Sequence, residues 1–270
     1  MISKTHEKYK EMKALLKSSK EKNITATDDL QVLKIAIDYN IEIMTLLYSN
    51  EMIYQDDTKR LLDQLIANAN ESYEISKSSF EALESKENHA GIVAKIKIPE
   101  YTQNDFKNKD FILVLDRLEI PGNVGTILRT LESIRCDGVI MVDSITKINN
   151  PKITSSSRGS NLIIPIIELS YDEAQSFLLD NNYDIFLGEP KLGKNYQEYN
   201  YENKCAIVVG NERYGINQKW YDNNHKKVYI PMEGTQNSLN VGVAASILAY
   251  EVYMKKKKAM ISKITEVVPV

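Results

Sequence analysis

The sequence predicts an α/β protein whose larger part is a mainly parallel sheet with helices on both faces. Residues 111–115, Phe-Ile-Leu-Val-Leu, form the continuous apolar run of a strand buried on both sides. Runs at 139–142 and 206–209 repeat it, with helical periodicities between them. The stretches after 115, 209 and 230 are rich in glycine and polar residues, at the strand ends where such sheets bind ligands.

At 270 residues, 43% hydrophobic and 26% charged, the chain has the size and composition of a two-domain globular protein. Its net charge of −3 carries no global signature of nucleic-acid binding. Basic character is local: residues 4–22 hold seven lysines against three glutamates, and Lys255 to Lys258 form a block. Such runs are solvated faces or RNA contacts. Cys136 and Cys205 sit in apolar strand contexts and read as buried free thiols of a reducing compartment. His6, His89 and His225 lack ligand spacing, so no metal is expected. No apolar run reaches the ~20 residues of a membrane span, and the N-terminus has no apolar signal core, so a soluble, cytoplasmic protein is expected.

In chain order, residues 1–22 read as a charged helix with Tyr9, Met12, Leu15 and Leu16 as its apolar stripe. The stretch Thr27-Asp28-Asp29 can cap a second helix carrying Leu30, Leu33, Ile37 and Ile41. Strands are expected at 43–48, 73–75 and 92–98, with helices at 58–68 and 78–84. Residues 99–110 read as a linker, which divides the chain into a small α/β domain, 1–104, and a larger one, 105–270. In the larger domain a helix carries Val124, Ile127, Leu128, Leu131 and Ile134. Strands follow at 139–142, 162–167, 183–187, 206–209 and 228–230, with helices at 171–179 and 216–221. Pro165 weakens the strand at 162–167. The last helix has an apolar face of Val241, Ala244, Ala245, Leu248 and Val252.

Three loops hold the chemistry. The first, 120–130, has Gly122 and Gly125 at a strand-to-helix turn, as in an anion cradle. It is neither a Walker loop nor a dinucleotide fingerprint. Asn123 stands at the helix start, where it can cap, and Arg129 projects about 240° away, where a surface ion pair is the simplest role. In the second, 208–216, Glu212 either caps the following helix or orients another group. In the third, 230–241, Ser238 or Asn240 is a candidate N-cap. Taken singly, each of these residues has an adequate structural explanation.

Together, the Pro-x-Asn-x-Gly-x-x-x-Arg-Thr run, the Gly-x-Glu-x-x-Gly turn and the Ile-Pro-Met…Ser-Leu-Asn-Val run resemble the SpoU–TrmH family of RNA ribose 2′-O-methyltransferases, of the SPOUT superfamily. The likeness spans 111–254, and residues 1–104 loosely resemble a small α/β RNA-binding domain. Ser-Arg-Gly at 157–159 is similar to the thiostrepton-resistance rRNA methyltransferases. Leu131 and Gly242 depart from the family's frequent Ala and Ser.

The resemblance implies a trefoil-knotted sheet and S-adenosylmethionine as cofactor. Val209, Gly210, Glu212, Ile230, Met232, Ser238 and Leu239 would form its site. Arg129, Asn123, Ser238 and Asn240 would form the catalytic edge, with Arg129 and Arg158 contacting RNA. The implied substrate is large-subunit rRNA, and the implied assembly is a homodimer joined through 123–129 and 241–253. A non-catalytic RNA-binding or ribosome-associated protein of this fold and a tRNA 2′-O-methyltransferase are the alternatives.

Overall fold

The computed structural model describes residues 1–83 and 90–267. In chain order the elements are α1 (Glu7–Lys17), β1 (Ile24–Thr27), α2 (Leu30–Asp38), β2 (Ile43–Tyr48), α3 (Asp56–Asn68), β3 (Ala69–Glu74), α4 (Lys77–Glu81) and β4 (Ile92–Lys97). Then come β5 (Phe111–Asp116), α5 (Pro121–Ser133), β6 (Gly138–Val142), α6 (Pro151–Ser156), β7 (Ile166–Leu169), α7 (Tyr171–Asp180) and β8 (Asp184–Glu189). The chain continues through β9 (Lys194–Asn195), β10 (Cys205–Val209) and β11 (Lys226–Tyr229) to α8 (Val241–Val267). They form two compact units: Met1–Glu100 with Lys147–Ile163, and Tyr101–Thr146 with Ile164–Val270.

This partition corrects the expected division at 104/105, because residues 147–163 belong with the N-terminal residues. Side chains explain why. Leu162 is part of the apolar cluster that holds Val32, Leu33 and Leu46. The Thr25 and Thr154 hydroxyls bond each other at 3.1 Å inside that unit. The Asn161 amide donates to Thr154 Oγ1 at 3.0 Å, and the Ser157 hydroxyl donates to Asn161 Oδ1 at 3.2 Å. Every member of this buried network has a partner, as burial of polar groups requires.

In the first unit, β4 lies antiparallel between β1 and β2, and β3 runs parallel to β2. One apolar cluster joins Leu47 and Val93 to α1 and α4, through Tyr9, Met12, Leu15 and Phe80. A second joins Leu46, Ala94 and Ile96 to α2 and α3. Asp29 caps α2 by accepting from the Gln31 N–H at 2.9 Å. Lys95, almost fully buried in β4, donates to Glu11 and Glu21. The sequence reading lacks β1, which is short and polar on its threonine side. Glu84, expected as a helix end, lies outside the described residues, as does His89.

The second unit is a seven-stranded sheet in the order β7-β6-β5-β10-β8-β11-β9, parallel throughout. On one face Ile112, Val114, Ile140, Leu187 and Val208 pack with Phe177, Leu178 and Trp220. Against the other lie α5 and α8, which pack on each other. β7 begins after Pro165, which has no N–H to donate but whose carbonyl accepts from the Val139 N–H at 2.9 Å, and Leu162 is not in the strand because Ser160–Leu162 forms a 3-10 turn. The helix expected at 216–221 is a 3-10 segment, Gln218–Asp222. Cys136 and Cys205 are buried free thiols, each pushed up to about 12 by burial. No described helix is long and apolar enough to cross a membrane, and no metal-binding cluster occurs among the described residues.

Candidate active site

At the C-terminal ends of β8, β10 and β11 the second unit encloses a cavity of about 920 Å³. This is the edge at which a parallel α/β sheet takes its ligands. Each strand ends there for a local reason. β10 stops at Gly210, where an added Cβ would lie 2.2 Å from the carbonyl carbon of Gly215. Asn211 and Gly215 then exchange N–H···O bonds of 3.0 and 2.9 Å, and Gly215 takes a left-handed φ of +68°. The loop is thus folded on itself, and only glycine fits its entrance.

The buried Asn211 side chain fixes this loop from within. Its amide donates to the Arg117 carbonyl at 2.8 Å, and its Oδ1 accepts from the N–H groups of Arg213 and Tyr214. Asp116, fully buried at the end of β5, accepts from the Asn217 N–H and lies 3.6 Å from Arg117 Nε. Burial raises the Asp116 carboxyl above its ordinary range, against the opposing pull of the Asn217 N–H and Arg117. The sequence reading missed both residues. Their types are unremarkable in a loop and at a strand end, and only the packing of β5 beside β10 gives them partners.

Glu212 does not cap the helix that follows it. Its Oε1 accepts from Asn123 Nδ2 at 2.9 Å and the Ile120 N–H at 3.3 Å, while Oε2 accepts from the Glu119 N–H at 3.3 Å. α5 starts at Pro121, with Ile120 as an N-cap that offers no side-chain bond. The Glu212 carboxylate therefore does that work, where negative charge is favourable. Gly122 and Gly125 lie inside α5, so they form no anion cradle.

Asn123 passes the connection on. Its Oδ1 accepts from Asn240 Nδ2 at 3.2 Å, and Asn240 Oδ1 accepts from the Gly242 N–H at 2.9 Å, capping α8. Glu212, Asn123 and Asn240 thus join the three loops in one hydrogen-bonded line. Ser238 and Leu239 are exposed on the cavity lining, which also includes Val209, Ile230 and Met232. Arg129 stands about two turns along α5, exposed, and its side chain has no hydrogen bond or ion pair to the described residues. It is not among the residues lining the cavity. Arg158 belongs to the first unit, where it lies 3.5 Å from Asp29.

The SpoU rRNA methylase family model matches residues 110–250, more than half of the chain. The chain belongs to this family. A putative TrmH family tRNA/rRNA methyltransferase of Staphylococcus saprophyticus is 31% identical over 77% of this chain and 88% of its own length. The 23S rRNA (guanosine(2553)-2′-O)-methyltransferase RlmP of Bacillus subtilis is 28% identical over 74% of this chain and 79% of its own. Among solved structures, an rRNA methyltransferase from Sinorhizobium meliloti, also solved with AdoMet bound, superposes with a TM-score of 0.83 at 20% identity, over 93% of this chain and 96% of its own. An RNA 2′-O ribose methyltransferase gives 0.77 at 25% identity, over 94% and 98%. This family member thus shares the fold of these methyltransferases over nearly its whole length, with the mainly parallel sheet expected for residues 105–270.

Proposed function

We propose that this SpoU-family enzyme transfers the methyl group of S-adenosylmethionine to a ribose 2′-hydroxyl of large-subunit rRNA. The observation that carries this reading is the Glu212–Asn123–Asn240 line at the edge of the cavity, which holds three loops in one fixed arrangement. The residues present suit the cofactor. Gly210 stands on the cavity lining, Val209, Ile230, Met232 and Leu239 offer apolar walls, and Ser238 adds a polar edge. The bound cofactor supplies an activated methyl group.

A neutral hydroxyl is a weak nucleophile, so the chain must align it and ease loss of its proton. Asn123 and Asn240, held by Glu212, orient the ribose at the cavity edge. A guanidinium stays protonated, so Arg129 acts electrostatically, stabilising the developing alkoxide and gripping the adjacent phosphate. Exposed Lys10, Lys17 and Lys20, with Arg158, offer backbone contacts that make the first unit an RNA-guiding domain. The protein works in the cytoplasm as a homodimer. Val243, Tyr250 and Met254 leave an exposed apolar stripe on α8 for the partner.

The test is transfer of labelled methyl from S-adenosylmethionine into separated, protein-free large-subunit rRNA and tRNA, followed by mapping of the modified nucleotide. A single 2′-O-methylated rRNA position is expected. Transfer into tRNA alone would overturn the substrate, and no cofactor binding by calorimetry would leave a non-catalytic RNA-binding protein.

A further inference from the structure

Glu189 is a carboxylate that the transfer chemistry above does not use. It is the last residue of β8, half-buried on the cavity lining. Strand order places it centrally: β8 runs between β10 and β11. Leu187 pairs with Val208 and Glu189 with Tyr229, so continuing the register sets Gly210, Glu189 and Tyr229 level at the strand ends. The two flanking strands lead into Gly210 and Ile230, the backbone positions assigned to the cofactor.

The surroundings give Glu189 little compensation for its burial. The Tyr221 hydroxyl donates to its Oε1, while Oε2 accepts no hydrogen bond from the described residues. By side-chain alternation Glu189 shares a face with Ile185 and Leu187, whose neighbours are the apolar residues around Trp220. Burial raises its carboxyl above the ordinary range, opposed by the positive charge of Lys227. A desolvated carboxylate with one oxygen free, on the wall of a ligand cavity, is suited to accept hydrogen bonds from that ligand.

We infer that Glu189 holds the ribosyl hydroxyls of the cofactor's adenosine moiety, with Tyr221 as the residue that positions its carboxylate. The inference rests on the methyltransferase reading above. Position favours the hydroxyls over the charged groups near the reacting centre. β10 separates β8 from β5, the strand that leads to Asn123, by two strand spacings of ~4.8 Å each. Glu189 therefore faces a part of the ligand remote from the transferred methyl. A pair of neighbouring hydroxyls donates two bonds, which matches a carboxylate. Acidic residues at strand ends serve nucleotide riboses in the same way elsewhere among α/β folds.

Calorimetry on the full chain tests it with four ligands: S-adenosylmethionine, S-adenosylhomocysteine, 5′-methylthioadenosine and the 2′,3′-dideoxy form of the last. Glu189→Gln is expected to weaken the first three alike, by about 10- to 100-fold as for loss of charge-assisted hydrogen bonds, and to leave the dideoxy ligand unchanged. Tyr221→Phe is expected to produce a smaller loss with the same ligand pattern. A loss confined to S-adenosylmethionine would assign Glu189 to the sulfonium. A loss on the two amino-acid-bearing ligands alone would assign it to their ammonium group. A loss that persists on the dideoxy ligand would assign it to the base. Each of these outcomes, or unchanged binding by Glu189→Gln, overturns the inference. If the wild-type chain binds none of the ligands, the methyltransferase reading fails and takes this one with it.

Discussion

Arg129 is the residue proposed to act electrostatically on the ribose and its phosphate. It is exposed on α5 and has no polar partner among the described residues, so its removal strands no protein group. Arg129→Ala is therefore expected to leave the melting temperature within about 1 °C, since exposed sites away from special features change stability by only ~0.5 kcal/mol or less. The same change is expected to reduce methyl transfer by about 100-fold or more, as loss of one preorganised electrostatic group does. Labelled transfer and thermal melting of one preparation check both halves. His225 offers a stability prediction. Burial lowers its pKa below 6.5, and its ring bonds the Gln175 side chain. The unfolded chain then binds the proton more readily than the folded one. The stabilising contribution of neutral His225 is present above the unfolded pKa and is lost as pH falls through the folded pKa. Urea midpoints at pH 7.5 and 5.5 should differ less for His225→Gln than for the wild type. At this scale the sequence made Asn123, Glu212 and Asn240 visible as candidates through their motifs. It gave no role to Asn211, Asp116 or Glu189, because Arg117, Asn217 and Tyr221, which bond them, lie 94, 101 and 32 residues away in sequence.

Elements with strong periodicity were legible. β2 matches its expected span, 43–48, and α7 and β6 match within a residue. Weak or composite elements were not. β9 is two residues inside a loop, and α6 is six residues opened by Pro151, too short for a helical pattern to emerge. The block Lys255 to Lys258 also needed the structure. Lys256 pairs with Asp110 at 2.8 Å, Lys255 donates to the Gln197 carbonyl, and Lys257 lies over the Tyr253 ring. Much of that block therefore fastens α8 to its own unit, and it is not a free RNA-binding tail. The loop after β10 has the least tolerance. In Gly210→Ala the new methyl group would meet the backbone of Gly215 and Ile216 at 2.2 Å. Backbone cannot rotate away as a side chain can, so the turn must open. A stability loss of about 1–3 kcal/mol is expected from urea unfolding, with a parallel drop in S-adenosylmethionine affinity by calorimetry. A variant that bound the cofactor normally would remove the turn from the site.

For the whole molecule, the expected division at 104/105 lies near the junction at 100/101, but the Asn-, Ser- and Gly-rich composition of residues 147–163 reads only as a loop and gives no sign of which unit it joins. Their allegiance comes from Leu162 in the apolar cluster and Thr154 on Thr25. A fragment of residues 105–270 would carry this segment without its packing partners. Limited proteolysis of that fragment is expected to cleave within 147–163, while the full chain resists there under the same conditions. Equal resistance would show that the segment holds its structure unaided.

The same returning segment sets an order of events during synthesis. When residue 100 leaves the ribosome, the first unit still lacks Thr154, Asn161 and Leu162. At ~5–20 residues per second, the missing portion arrives on the order of several seconds later. By then β5, α5 and β6 have already emerged, before the strands that complete their sheet. Neither unit can finish folding before the other has begun, so the nascent chain passes through a stage in which two incomplete cores are exposed together. That stage, rather than the finished protein, is where a chaperone would have most to protect.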